Sequence, residues 1–229
     1  MRFCTFLFLI FPLFSWSQSE VDSILINSEN QFRDSIAAIN LAAEQQQFLE
    51  ENFNAATDFM YNEDYTNAIK SLNQVLRIDS TYIDAFYNRA ICNRELNNFT
   101  QTITDFNTVF ILDSTRTDAL YEQAVYYMDN NYTKEAEQLF TQTLVLEPHD
   151  FQAAYKLGVL YYLQKKYSSA ITTFTEILSY HPHHEYALHD RGSCYRLMGE
   201  IDKAEKDYLA AIELYPKSFM YNNKGYKEN

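Results

Sequence analysis

Residues 153–182 read AAYKLGVLYYLQKKYSSAITTFTEILSYHP. Small residues fall at Gly158 and Ala170, bulky ones at Phe174 and Leu178, and the stretch closes on Pro182. That proline stands 34 residues from both Pro148 and Pro216. A period of this size is tested before anything else, because it marks a repeat array. Aligning the chain on it gives five contiguous blocks, 49–82, 83–116, 117–150, 151–184 and 185–218. Position 8 of each block is small (Ala56, Ala90, Ala124, Gly158, Gly192), and position 20 nearly always so (Ala68, Thr102, Ala136, Ala170, Ala204). Position 24 is bulky throughout (Leu72, Phe106, Phe140, Phe174, Tyr208), as is position 28 (Leu76, Phe110, Leu144, Leu178, Ile212).

These columns have a direct physical meaning. A small residue on each of two helices lets their backbones approach, while large neighbours fill the flanks. Each block is therefore expected to be a helical hairpin. One hairpin cannot bury its own apolar face, but stacked hairpins share a core, and at least three are needed. The expected fold is thus all-α, a solenoid of five tandem helix-turn-helix hairpins over 49–218. Before it, Ser28-Glu29-Asn30-Gln31 fits a capping box, and Phe32, Ile36, Ile39 and Ala43 follow at helical spacing. This predicts a capping helix over 28–48 behind a flexible segment 18–27. The tail 219–229 has room for only a turn or two of helix, so the outer face of the last hairpin is expected to be poorly covered and is a candidate self-association surface.

The block pattern resembles the tetratricopeptide repeat. In the fourth block Leu157, Gly158, Tyr161, Tyr167, Ala170, Phe174 and Pro182 occupy that family's signature positions. Ser80 and Ser114 stand where the terminal proline is usual, and Asn93 stands in place of the aromatic of position 11. The resemblance implies a non-enzymatic scaffold for protein–protein contact, with the first helix of each hairpin lining a concave groove.

The bulk composition fits that reading. With four glycines and four prolines in 229 residues, breakers are too sparse for a turn-rich β fold. A formal charge of −13, spread along the chain, repels phosphate backbones and argues against nucleic acid. No phosphate loop, nucleophile elbow or dinucleotide fingerprint is present, and no cofactor is expected. At the N-terminus, Arg2 precedes an apolar run from Phe3 to Phe14, then Ser15 and Ser17. This reads as a signal peptide, 1–17, of an exported protein, periplasmic or secreted. The run falls short of the roughly 20 residues that span a bilayer, so no transmembrane helix is expected in the mature chain, with an uncleaved anchor as the alternative. Cys92 and Cys194 share position 10, three blocks apart, roughly 30 Å at packed-helix spacing, and are expected as free thiols.

Four histidines, His181, His183, His184 and His189, crowd one stretch. His184 and His189 differ from a zinc-protease pair by one residue: i to i+5 places them about 140° apart on a helix, against about 40° for i to i+4. They read as a polar turn. A weaker metal site is the alternative, since His149 and His183 share position 33 in adjacent blocks beside Asp150.

For partner binding, the resemblance points to positions 2, 5, 9, 12 and 13. Position 5 reads Phe53, Tyr87, Tyr121, Tyr155 and His189, an aromatic column. Position 9 adds Ile91, Val125 and Val159, and position 12 adds Tyr162. Position 2 carries an acidic row, Glu50, Asp84 and Asp118. Rings beside acids suit a protein or peptide with apolar and basic side chains. The competing reading is that these rings only pack on their neighbours.

Overall fold

A computed structural model describes residues 18–214, which form ten α-helices. In order these are α1 (Gln18–Tyr61), α2 (Tyr65–Ile78), α3 (Ile83–Glu95), α4 (Phe99–Leu112), α5 (Thr117–Asp129), α6 (Thr133–Leu146), α7 (Phe151–Leu163), α8 (Tyr167–Tyr180), α9 (Glu185–Leu197) and α10 (Ile201–Leu214). The segment read as a signal peptide, 1–17, and the tail 219–229 lie outside the described residues. The chain divides between Glu51 and Asn52 into two compact units.

In the first unit the expected boundaries are corrected. Helix α1 runs unbroken from Gln18, so 18–27 is helical, Ser28 starts nothing, and no break separates 28–48 from the first hairpin. The physical reason is in the composition. No glycine or proline interrupts residues 18–61, and Ala, Glu, Gln and Leu are strong helix formers. Phe32, Ile36 and Ile39, assigned a capping role from their spacing, are exposed, Phe32 by 69% and Ile39 by 67%.

The second unit is a stack of paired helices, α3 with α4, α5 with α6, α7 with α8 and α9 with α10. Its turns repeat as faithfully as its helices. Every first helix ends with position 15 in the left-handed region: Glu63, Asn97, Asn131, Lys165 and Gly199. In each case the amide of position 16 donates to the carbonyl of position 11, and that of position 15 to position 12. This pairing satisfies carbonyls that a helix end would leave bare. Only the fifth hairpin uses glycine there.

Between hairpins, the chain passes through Asp79, Asp113, Glu147 and His181, each of whose amides donates back to position 27. Where the terminal proline is missing, the Oδ1 atoms of Asp79 and Asp113 hold the amides of Thr81 and Thr115 at 2.8 and 2.9 Å. A side-chain turn thus does the work of a ring.

The core lies where the columns of small and large residues meet. Ala56, Ala90, Ala124, Ala68, Ala136, Ala170, Leu72, Phe106, Phe140 and Phe174 are all fully buried. Each such phenylalanine contributes on the order of 1.5–3 kcal/mol by burial. The closest approach is at Gly158, where an added Cβ would sit 2.6 Å from Cε1 of Phe174.

A second, polar set of contacts ties the second, third and fifth hairpins each to the one before it. Arg89 forks onto Asp105 of its own hairpin at 2.8 and 2.7 Å and reaches back to Asn73 at 2.6 Å. Arg191 does the same with Asp207, both bonds 2.7 Å, and Thr175, 3.1 Å. Gln123 keeps the backward bond alone, to Asn107 at 3.0 Å. All three stand at position 7.

Candidate functional site

The first helices pack on one another as well as on their own partners, α5 against α7 and α7 against α9. Their outward residues therefore form one continuous lining. On it, the position-5 rings are keyed to position 24 of the same hairpin. Centroids lie 5.7 Å apart for Tyr87 and Phe106, 6.1 Å for Tyr121 and Phe140, 5.9 Å for Tyr155 and Phe174, and 5.5 Å for His189 and Tyr208.

A second support comes from position 34, at the start of the next hairpin. Tyr82 packs on Phe53 with centroids 5.2 Å apart, the Arg116 guanidinium lies 5.0 Å from the centre of Tyr87, and His184 lies 5.3 Å from Tyr155. The rings are consequently half-buried. Packing on neighbours, the competing reading of this column, accounts for the buried part of each ring, and each ring keeps part of its surface in solvent.

The phenols act as fixed neutral groups. Burial, then Glu122 and Asp118, pushes Tyr87 up to about 12. Burial and then Glu122 and Asp150 raise Tyr121. Tyr155 is raised by burial and by Asp190, whose Oδ2 accepts its hydroxyl proton at 2.8 Å. The other oxygen of Asp190 lies 3.0 Å from His189 Nδ1, so this carboxylate orients two groups of the lining. Between the rings Ile91, Val125 and Val159 are half-exposed. Tyr162 turns aside to pack on Tyr167, centroids 5.9 Å apart.

The acidic row is met largely from within the chain. Arg116 pairs with both Asp84, at 2.8 Å, and Asp118, at 2.9 Å, and Arg94 pairs with Glu122. Position 34 precedes the next first helix and so falls beside position 2 of two successive hairpins. Glu50 belongs to the first unit, where its Oε1 accepts from Gln46 at 2.8 Å. The expected opening for a basic ligand between Asp84 and Asp118 is thus already filled by a guanidinium.

The histidines separate into unlike environments. His184 caps α9, its Nδ1 accepting from the Ala187 amide at 3.1 Å, and burial lowers its pKa. His181 ends α8, His149 packs on Tyr180, and His183 is exposed. Among the described residues no three His, Cys, Asp or Glu side chains converge to hold a metal ion, so His149 and His183 form no such set. Cys92 and Cys194 are buried free thiols, pushed up by burial to about 11 and 12, which makes them poor nucleophiles. At the last hairpin, the suggested association surface, Ile201 and Leu209 are exposed. No described helix is long and apolar enough to cross a membrane.

Arg116 and the position-7 arginines escaped the sequence reading, which followed apolar columns. A signal existed: an Arg and an Asp 16 residues apart recur three periods later, as Arg89 with Asp105 and Arg191 with Asp207.

Two models of the tetratricopeptide repeat match the chain, one over residues 121–178 and one over 185–218. Among solved structures, a MamA protein is 20% identical, covers 75% of this chain and 94% of its own, and superposes with a TM-score of 0.68. A tetratricopeptide repeat protein from Parabacteroides merdae is 20% identical over 77% of this chain and 70% of its own, TM-score 0.70. YrrB, a TPR protein with an unusual peptide-binding site, is 17% identical over 74% and 87%, TM-score 0.62. At these identities the likeness establishes the fold. No curated protein matches the chain.

Proposed function

We propose that this tetratricopeptide-repeat protein is an exported, non-enzymatic scaffold that holds an extended segment of another protein along the face of its first helices. The observation that carries the reading is the lining itself. Half-exposed Ile91, Val125 and Val159 alternate with rings whose far sides are locked against position 24. A surface fixed in advance loses little entropy on binding, so its contacts count toward affinity. The peptide-binding site of YrrB, on a similar fold, supports such a use.

The ligand favoured on this face is apolar. Arg116 already occupies Asp84 and Asp118, and a chain of net charge −13 repels nucleic acid. The reading that turn histidines bind metal gains no support from the described residues.

A photo-crosslinking residue placed at Val125 or Val159 is expected to capture the same protein from an extract of the source cells. One at exposed Thr104 on α4 is expected to capture nothing in common with it. Equal capture from Thr104, or none from Val125 and Val159 in correctly folded variants, overturns the reading. Export rests on the Arg2 to Ser17 pattern, and the native protein is then expected to begin at Gln18 when its N-terminus is sequenced. A start at Met1 or Arg2 removes cleavage from the account.

A further inference from the structure

Between the third and fourth hairpins the packing leaves a cavity of about 170 Å3. Four rings wall it in two pairs: His149 on Tyr180, centroids 4.5 Å apart, and Phe151 on His181, 5.0 Å apart. Leu144, Leu157 and Ile177 also line it. The carboxylates of Asp150 and Glu176 stand among the lining residues, and no lysine or arginine does. Asp150 spends one oxygen on its own helix, Oδ1 accepting from the amides of Gln152 at 2.9 Å and Ala153 at 3.1 Å. Its Oδ2 is left for another donor. Phe151 is 40% exposed and Tyr180 54%, so the cavity opens to solvent at its rim.

Rings beside unpaired acids form a site for an organic cation. A cation over an aromatic face within about 6 Å is attracted by the ring quadrupole, and carboxylates at the edge add charge-assisted hydrogen bonds. A cavity of roughly 150 Å3 holds a six-carbon ring, and the side chain of arginine or lysine is of that size. The planar guanidinium fits better than an ammonium, since it can lie against a ring and offer a fork of donors to a carboxylate.

The chain contains its own precedent one repeat earlier. Arg116, at position 34 of the second hairpin, lies 5.0 Å from the centre of Tyr87 and bonds to Asp84 and Asp118. In the third hairpin the same position holds Asp150. Rings and carboxylates recur there, and the cation is missing from the set.

We propose that the cavity bounded by His149, Asp150, Phe151, Glu176, Tyr180 and His181 is a second docking site, which takes an arginine side chain of the bound protein. The site shares α7 with the first-helix lining, through Phe151, Ala154 and Leu157, but includes none of the position-5 rings or position-9 side chains. It rests on the reading of the chain as a protein-binding scaffold, and its test separates the two.

The probe is the blocked tripeptide Gly-Arg-Gly, titrated into the 15N-labelled full chain at about pH 8, above the ordinary imidazole range. Its counterpart carries citrulline, which keeps the shape and loses the charge. The arginine peptide is expected to shift the amides of residues 149–152 and 176–181. The citrulline peptide should bind at least about tenfold more weakly, as the cation–π and ion-pair contacts are lost. Glu176→Gln, an exposed change, and Phe151→Leu should each weaken the arginine response several-fold, whereas Val125→Ser in the lining should leave it intact.

Equal response to both peptides, shifts confined to other residues, or an unchanged Glu176→Gln variant overturns the proposal. A response of the same amides to zinc chloride, with none to the arginine peptide, overturns it equally. Loss of crosslinking at Val125 and Val159 with the arginine response intact counts against the lining and leaves the cavity standing.

Discussion

Replacing Arg191 with alanine is expected to lower the unfolding free energy by about 3–5 kcal/mol, because it strands a buried carboxylate without its partner. Asp207 keeps only 7% of its side-chain surface in water, and Arg191 17%. Both carboxylate oxygens are held by the guanidinium at 2.7 Å. The same change cuts the bond to Thr175, so the fifth hairpin also loses a tie to the fourth. Against a total stability of about 5–15 kcal/mol for a domain of this kind, the loss is large. The double variant Arg191→Met with Asp207→Leu should recover most of it, since an apolar pair of similar volume often replaces a buried ion pair without cost. Urea unfolding of the three proteins decides the matter. A single variant within about 1 kcal/mol of wild type, the median worth of a surface pair, would show that this pair behaves as an exposed one.

The second large effect is expected at Phe174. Truncation to alanine should cost about 3–5 kcal/mol, the range for emptying a buried aromatic site. The ring is fully buried, and it supports Tyr155 of the lining. It also explains Gly158. A methyl there would sit 2.6 Å from Cε1 and 2.9 Å from Cζ of Phe174, closer than packed atoms tolerate. Gly158→Ala alone should therefore destabilise, overpacking of about 1–3 kcal/mol outweighing the roughly 1 kcal/mol that alanine gains in a helix. With Phe174→Leu in place the same Gly158→Ala change should become neutral or stabilising. Thermal melts of the four proteins measure this coupling, and simple additivity would disprove the contact.

Both predictions fall on residues that reading the sequence treated unequally. Gly158 and Phe174 belong to columns whose meaning is local and repeats five times, so the period exposes them. Arg191 and Asp207 sit 16 residues apart on different helices, and in the fourth block position 7 is Leu157, with no ion pair at all. Averaging over blocks hides such a pair. The candidate lining divides in the same way. Phe53, Tyr87, Tyr121, Tyr155 and His189 were visible as a column, whereas the position-34 side chains that pack on three of them, Tyr82 on Phe53, Arg116 on Tyr87 and His184 on Tyr155, vary in type from block to block. Of the aromatic cavity, the sequence offered His181 within the crowded turn and His149 beside Asp150, read there as a weak metal site.

The N-terminal segment went astray for a related reason. A capping box at Ser28 is a valid start signal, but a start signal inside a sequence without breakers does not interrupt a helix already under way. The αL residues show the converse. Asn97, Asn131 and Gly199 advertise a turn, while Glu63 and Lys165 take the same conformation with no such advertisement, because the hydrogen bonds of the helix end demand it.

From its residues alone this protein fixed the period, the pairing of helices and the small-against-large core, since each depends on contacts within a hairpin or with its immediate neighbour. The tertiary structure decided which charges are already spent. Arg116 on Asp84 and Asp118 and Arg191 on Asp207 close off some acids, while Asp150 and Glu176 stand beside rings with no cation among them. Electrostatic pairing depends on distance in space, and side chains at positions 34, 2 and 7 of different blocks come within bonding range only once the stack has formed.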